Sequence, residues 1–299
     1  MLNLERILAS DRLMRALTGL NRKAFEALLP SFSEAYRQYQ LRPKENRKRA
    51  VGGGRKATLR TSRDKLFYIL LYCKCYPTFD LMSVLFNFDR SCAWDWVHLL
   101  LPILEQTLGH KQVLPVRKLR SMAEFLERFP AVKTVILDGT ERPVQRPQDP
   151  AKQKENYSGK KKRHTRKHIT GSTPDKRVIF LTEANGGSVH DKPQLEASNL
   201  VDYIPDEVEI AVDLGFQGLQ NEFDNIHLPH KKPKGKELSE EQKQANREFN
   251  RQRVKCENAH AGIKRYRAVS DVYRNRVTNF DDRLMLNATG LWNFYLDAA

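Results

Sequence analysis

Two stretches of the chain, AVKTVILDGT and DEVEIAVDLG, constrain its fold more than any others. Each is a β-branched, apolar, strand-like run that places an aspartate, Asp138 or Asp213, at its end, with a glycine close behind. Between and around them, ERPVQRP reads as an edge strand flanked by prolines. KHITGSTPDKRVIFLTEAN reads as two strands about a turn at Pro174–Asp175, and NIHLPHK as a short last strand. Asp191 is expected to cap a short helix with Pro193 in its first turn. SEEQKQANREFNRQRVKCENAHAGIKRYR is expected as one long helix opened by a Ser239/Gln242 capping box. Strands first, then helix, strand, strand and helix fit a mixed α/β sheet flanked by helices over residues 130–299.

Residues 1–125 are read as all helical. Asn21 is a candidate N-cap before a helix carrying Phe25, Leu28, Leu29 and Phe32, which Pro30 is expected to kink or end. Residues 42–60 are basic and glycine-rich, a linker or a DNA-tracking loop. Beyond them, a helix over 62–76, a short one over 79–86, a turn at Asn87–Arg90 and a longer helix with Ser91 as N-cap follow the helix-turn-helix plan over about 62–105. In that plan Arg90, Ser91, Trp94 and Asp95 would meet base edges. Core packing is the competing reading for Trp94 and Trp96.

Charge narrows the function. The 299 residues hold 52 Lys+Arg against 36 Asp+Glu, a formal net charge of +16, which favours a polyanionic partner such as DNA. The 40% hydrophobic content is enough for a core, and no run reaches the length of a membrane span. The amino terminus does not read as a signal peptide, and Cys73, Cys75, Cys92 and Cys256 lack zinc-ligand spacing, so reduced thiols in an intracellular protein are expected.

Acids in so basic a chain stand out. On the long helix, Asn250, Arg253, Glu257 and Lys264 fall within about 60° of one another at 100° per residue, beside a buried stripe of Ala245, Phe249, Cys256, Ala259, Ile263 and Tyr266. Alone, Glu257 would be a surface residue paired with Arg253, and Asp138 and Asp213 turn residues before glycine. Together, two strand-end aspartates and a helical glutamate can hold two Mg²⁺ ions, one activating an attacking oxygen and the other a leaving oxygen. The basic run Lys160, Lys161, Lys162 and Arg163 within GKKKRHTRKH is read as a DNA-backbone contact, with a solvated charge run as the alternative. The basic loop KKPKGK at 231–236 reads the same way. His164 and His168, four residues apart, are a candidate metal pair against which the crowded cations argue, and His190 is read either near the site or as a backbone partner.

The segments ILDGTERPVQRP, NYSGKKKRHTRKHI, GGSVHDKPQLE, VDLGFQGL and VKCENAHAGIKRYRAVSD resemble bacterial insertion-sequence DDE transposases, with the insertion-sequence-five family the nearest. GGGRKATLRTSRDKLFYILLYCKCYPTFDLMSVLF resembles that family's helix-turn-helix region. The resemblance implies a ribonuclease-H-like catalytic domain and a triad at Asp138, Asp213 and Glu257 that binds two Mg²⁺ or Mn²⁺ ions. It also implies recognition of terminal inverted repeats, end cleavage to a 3′-OH, strand transfer into target DNA, and a homodimer in the DNA complex in the cytoplasm of a bacterium. In the family's Y-(2)-R-(3)-E-(6)-K signature, Arg253, Glu257 and Lys264 are in register as site and DNA-contacting residues, while Asn250 stands where tyrosine is expected. A non-catalytic DNA-binding derivative and a metal-dependent endonuclease without strand transfer are the alternatives.

Overall fold

The computed structural model describes residues 2–42 and 57–298, so most of the basic glycine-rich stretch read as a linker or DNA-tracking loop lies outside the described residues. The chain divides into two units. One comprises Met1–Leu114, Ile263–Asp271 and Arg283–Ala299, and the other Pro115–Gly262 and Val272–Asp282. This division departs from a boundary at 125–130 for local reasons. Val116 bridges to Phe180 in the sheet unit. In the helical unit, Tyr266 is fully buried against Gly19, and Asn293 donates a hydrogen bond to the Val113 carbonyl. Gly19 closes a helix at φ +80°, and a Cβ there would lie 2.7 Å from the Tyr266 ring, so both conformation and space demand glycine.

The first unit contains α1 (Leu4–Leu8), α2 (Asp11–Thr18), α3 (Arg22–Leu41), α4 (Ser62–Cys75), α5 (Phe79–Phe86) and α6 (Arg90–His110). Asn21 caps α3 by accepting from the Ala24 amide. Pro30 does not end that helix. Phe25, Leu28, Phe32 and Ala35 are all buried along it, and their packing holds the helix through one missing amide. Thr61 and Asp64 form a capping box on α4. Asn87, left-handed at φ 55°, closes α5, which leaves Asp89 as the extended N-cap of α6. Ser91 is therefore the second residue inside α6, two positions after the cap. Tyr68 fixes this arrangement, because its hydroxyl donates to the Ala93 carbonyl at 2.8 Å and its ring packs edge-on to Phe86 at 4.8 Å.

The second unit is built on a mixed sheet of β1 (Thr134–Pro143), β2 (Tyr157–Ser158), β3 (Arg163–Ser172), β4 (Val178–Leu181), β5 (Asn185–Gly186), β6 (Glu209–Val212) and β7 (Ile226–His227). The order is β2-β3-β1-β6-β7, with β4 and β5 also paired to β3. The helices α7 (Met122–Arg128), α8 (Pro150–Asn156), α9 (Asp191–Glu196) and α10 (Glu240–Lys264) accompany it. A short α11 (Arg267–Ser270) follows in the first unit, and α12 (Phe280–Ala298) closes the chain. Together with the preceding helices this is the plan of a helix-turn-helix region followed by a ribonuclease-H-like domain.

The side-chain period of two sorts the sheet residues by face. Val135, Leu137, Ile210 and Val212 enter the larger core with Phe125, Phe180 and Leu195, while Ile136 and Ala211 face Phe249 and Cys256 of α10. ERPVQRP is not a separate edge strand. β1 runs into it as far as Pro143, antiparallel to β3 from Ile136↔Ser172 to Pro143↔Thr165. Asp138 is thus inside β1, not at its end. Among the described residues no helix is long and apolar enough to cross a membrane.

Candidate active site

β1 pairs in parallel with β6 only as far as Leu137↔Val212. Asp138 and Asp213 are the next residues on each strand, where β6 leaves the ladder and the sheet forks. By parity with Ile136 and Ala211 they lie on the face that α10 covers. Asp213 caps a 3₁₀ turn over Leu214–Phe216, its Oδ1 accepting from the Gly215 amide at 2.7 Å. Asp138 Oδ1 accepts from the Gly139 amide at 2.9 Å.

Arg253 of α10 joins the two acids. Its Nη2 lies 3.8 Å from Asp138 Oδ1 and 3.8 Å from Asp213 Oδ2, and its Nε is buried without a hydrogen-bond partner. Burial raises the Asp138 carboxyl to about 6 from an ordinary 3.8. Arg253, the Gly139 amide and Lys160 pull it back down, while Asp213 pushes it further up. Lys160 is therefore close enough to act on Asp138 electrostatically.

The sequence does not single out His260, and it places Cys256 only in the buried stripe, yet both stand beside Asp138. Positions 253, 256, 257 and 260 are spaced by three and four, the repeat of one helix face, and that was the available signal. His260 Nε2 lies 2.6 Å from Thr170 Oγ1 and its Nδ1 lies 3.8 Å from Asp138 Oδ2. Cys256 Sγ is 3.9 Å from the same ring, and burial pushes its thiol up to about 12. Asp138, Cys256 and His260 gather to within 4.8 Å, the spacing of a metal cluster. A protonated thiol and a ring nitrogen engaged by Thr170 make that group a support for Asp138 rather than a ready ligand set.

Glu257 is exposed on α10, one turn beyond Arg253, and is not gathered with Asp138 and Asp213 into one tight cluster among the described residues. Lys264, half-buried, ends α10 and belongs to the first unit. Asn250 is exposed on the same helix. Lys160, Lys161, Lys162 and Arg163 are all exposed on the turn from β2 into β3, with Lys162 left-handed at φ 53°. His164 and His168 cannot share a metal. They are on a strand, where four residues span about 13 Å, and His168 is buried against the Thr182 carbonyl at 3.0 Å. Burial lowers the His168 pKa. His190, exposed, is the N-cap of α9.

Asp191 is not the cap that sequence suggests. It is the first residue inside α9 and makes no capping bond. Its carboxylate turns back to Lys167 of β3, with Oδ1 2.9 Å from Nζ. The contact is ionic rather than a directed hydrogen bond, since Oδ1 is sealed and has no hydrogen-bond partner while Nζ donates to the Val189 carbonyl at 2.7 Å.

In the first unit, Arg90 and Ser91 are exposed at the start of α6, and Trp94 is 42% exposed and stacked on His98 at 3.9 Å between ring centroids. Trp94 is thus a surface residue, whereas Trp96 lies half-buried beneath the Lys65 ammonium.

Carboxylate oxygens side by side at a strand fork, with a basic surround, are hard donors suited to a small divalent cation. Residues 137–293, more than half of the chain, match the family described as DDE superfamily endonuclease. Residues 58–110, spanning α4 to α6, match the family described as helix-turn-helix of DDE superfamily endonuclease. A probable transposase for insertion sequence element IS702 from Microchaete diplosiphon is 28% identical over 286 residues, covering 95% of each chain. No solved structure matches.

Proposed function

This chain belongs to the DDE superfamily of endonucleases, and from that premise we propose that it is a DNA transposase that cleaves the ends of its element and joins the resulting 3′-OH to target DNA. The observation that carries the reading is the pair Asp138 and Asp213, set on one face at the end of a shared parallel ladder and bridged by Arg253. Superfamily membership implies dependence on a divalent metal.

Asp138, Asp213 and Glu257 are the residues assigned to hold two such ions, Mg²⁺ or Mn²⁺. Bound there, the cations supply Lewis acidity to the phosphodiester and to the attacking oxygen. The chain's own groups do the rest. His260 and Thr170 orient the Asp138 carboxylate from behind. Arg253 offsets the paired acids and, where cations would balance them, would be available to a phosphate. Lys160, Lys161, Lys162 and Arg163 track the backbone beside the site, and Lys264 is assigned a further phosphate contact. The α5–α6 pair, with Arg90, Ser91 and Trp94 leading α6, is assigned to the terminal inverted repeats. Two ends must be brought together, so the working form is a homodimer on DNA, in the bacterial cytoplasm.

The test uses the purified full chain, DNA carrying the element's ends, and Mg²⁺ or Mn²⁺. Cleavage and joined products are expected from the unaltered protein and none from Asp138→Ala, Asp213→Ala or Glu257→Ala, each still binding DNA. Full activity in any one of the three removes that residue from the site. Cleavage without joined products favours an endonuclease that does not transfer strands.

A further inference from the structure

A fourth carboxylate reaches the fork from the opposite layer of the sheet. Leu195 anchors α9 in the larger core, on the face away from α10. Asp191, at the start of α9, nonetheless lies against both Gly139 and Gly215, which closely follow the site aspartates. A Cβ on Gly139 would stand 3.0 Å from Asp191 Oδ1. A Cβ on Gly215 would stand 2.8 Å from Asp191 Oδ2 and 2.8 Å from Asp213 Oδ1. A methyl group on Gly215 would therefore press on both carboxylates at once, and one on Gly139 would crowd Asp191 alone. The approach lies where β6 ends at Val212 while β1 continues, so Asp191 meets the fork beyond the last shared rung.

We infer that Asp191 is a positioning residue for the cation at Asp213, accepting hydrogen bonds from the water shell of that ion. This rests on the assignment of Asp213 as a ligand. The chemistry follows from the cation class. Mg²⁺ keeps several waters and takes few direct carboxylates, so acceptors beyond the direct ligands set its hold. Lys167 fixes Asp191 through Oδ1, and the same Nζ lies 4.0 Å from Glu141 Oε1 and donates to the Val189 carbonyl. Oδ2 is left beside Gly215, on which Asp213 Oδ1 also closes. The side chain is 15% exposed, so this group is neither a free surface acid nor one sealed in the core.

The experiment is Mn²⁺ titration of the full chain by calorimetry, with no DNA present. Asp191→Asn should weaken Mn²⁺ binding by about 10-fold or more, the range seen when an acceptor beyond the direct ligands is removed. Lys167→Gln combined with Asp191→Asn removes both charges of the pair and should remain equally weak. If the double variant regains native affinity, Asp191 serves only as the partner of Lys167 and the inference fails. If Asp191→Asn binds Mn²⁺ like the native chain while Asp213→Asn does not, the inference fails and the active-site reading stands. If Asp213→Asn itself binds normally, the active-site reading fails and the inference goes with it.

Discussion

Arg253 Nη2 stands 3.8 Å from Asp138 Oδ1 in a site where both side chains are 18% exposed. The same atom is as far from Asp213 Oδ2, so one guanidinium offsets two acids. Removing it leaves two carboxylates facing each other with no cation between them. Arg253→Gln is expected to lower the unfolding free energy by about 1–3 kcal/mol, read by urea denaturation in EDTA at pH 8. An unchanged midpoint would mean that the guanidinium does not hold the pair.

Asp138 gives the metal-free protein a pH dependence of definite sign. Its carboxyl sits at about 6 when folded against an ordinary 3.8. Between those values the folded chain holds a proton that the unfolded chain has released, so stability falls as pH rises from about 4 to 6 and then levels off. Asp138→Asn should abolish that slope and stabilise the metal-free chain at pH 7–8 by up to about 3 kcal/mol. Cation binding to the native protein should strengthen with rising pH through about 6, because a bound cation displaces the proton. Thermal melts in EDTA and Mn²⁺ titrations from pH 5 to 8 check both signs.

The exposed turn Lys160–Arg163 is expected to act through charge alone. Neutralising Lys161, Lys162 and Arg163 together should weaken binding to any duplex and reduce the salt slope by about 0.9 for each phosphate no longer neutralised. The preference for end DNA over random DNA should not change. Binding curves at several salt concentrations decide it, and an unchanged slope would leave the turn a solvated charge run.

Trp94 and Arg90 are expected to show the opposite pattern. Arg90 pairs with Asp80 at 3.5 Å on an open surface, and Trp94 is exposed and outside the core, so Arg90→Ala with Trp94→Ala should cost little stability. Discrimination between end DNA and random DNA should fall by about 1–3 kcal/mol for each base pair that goes unread. Competition binding with random duplex measures this, and undiminished discrimination would move recognition to another face.

Much of the sheet was legible because apolar runs and turn residues carry local signals. The turn between β3 and β4 and the Ser239/Gln242 capping box are of this kind: the Gln242 backbone amide donates to Ser239 Oγ and the Ser239 backbone amide donates to Gln242 Oε1. Local readings gave way where neighbours decided the outcome. Pro30 does not end its helix, which four buried side chains hold, Ser91 loses the cap position to Asp89 behind a left-handed Asn87, and Asp191 gives up its capping role to pair with Lys167. The His260–Thr170–Asp138 chain was hidden for a related reason. It joins a helix to two strands whose members lie far apart in sequence, and a histidine in a helix does not announce which strand it will face.

The fork at β1 also sets where this chain tolerates change. β1 is laddered to β3 from Ile136 through Pro143 but to β6 only up to Leu137. The spacing of the two acids is therefore inherited from four rungs, Thr134↔Glu209 to Leu137↔Val212. A one-residue slip in those rungs turns an aspartate onto the wrong side of the sheet. The stretch from the KKPKGK loop to the start of α10 carries no rung at all, so insertions and deletions there would lengthen or shorten the path to the helix without moving either acid.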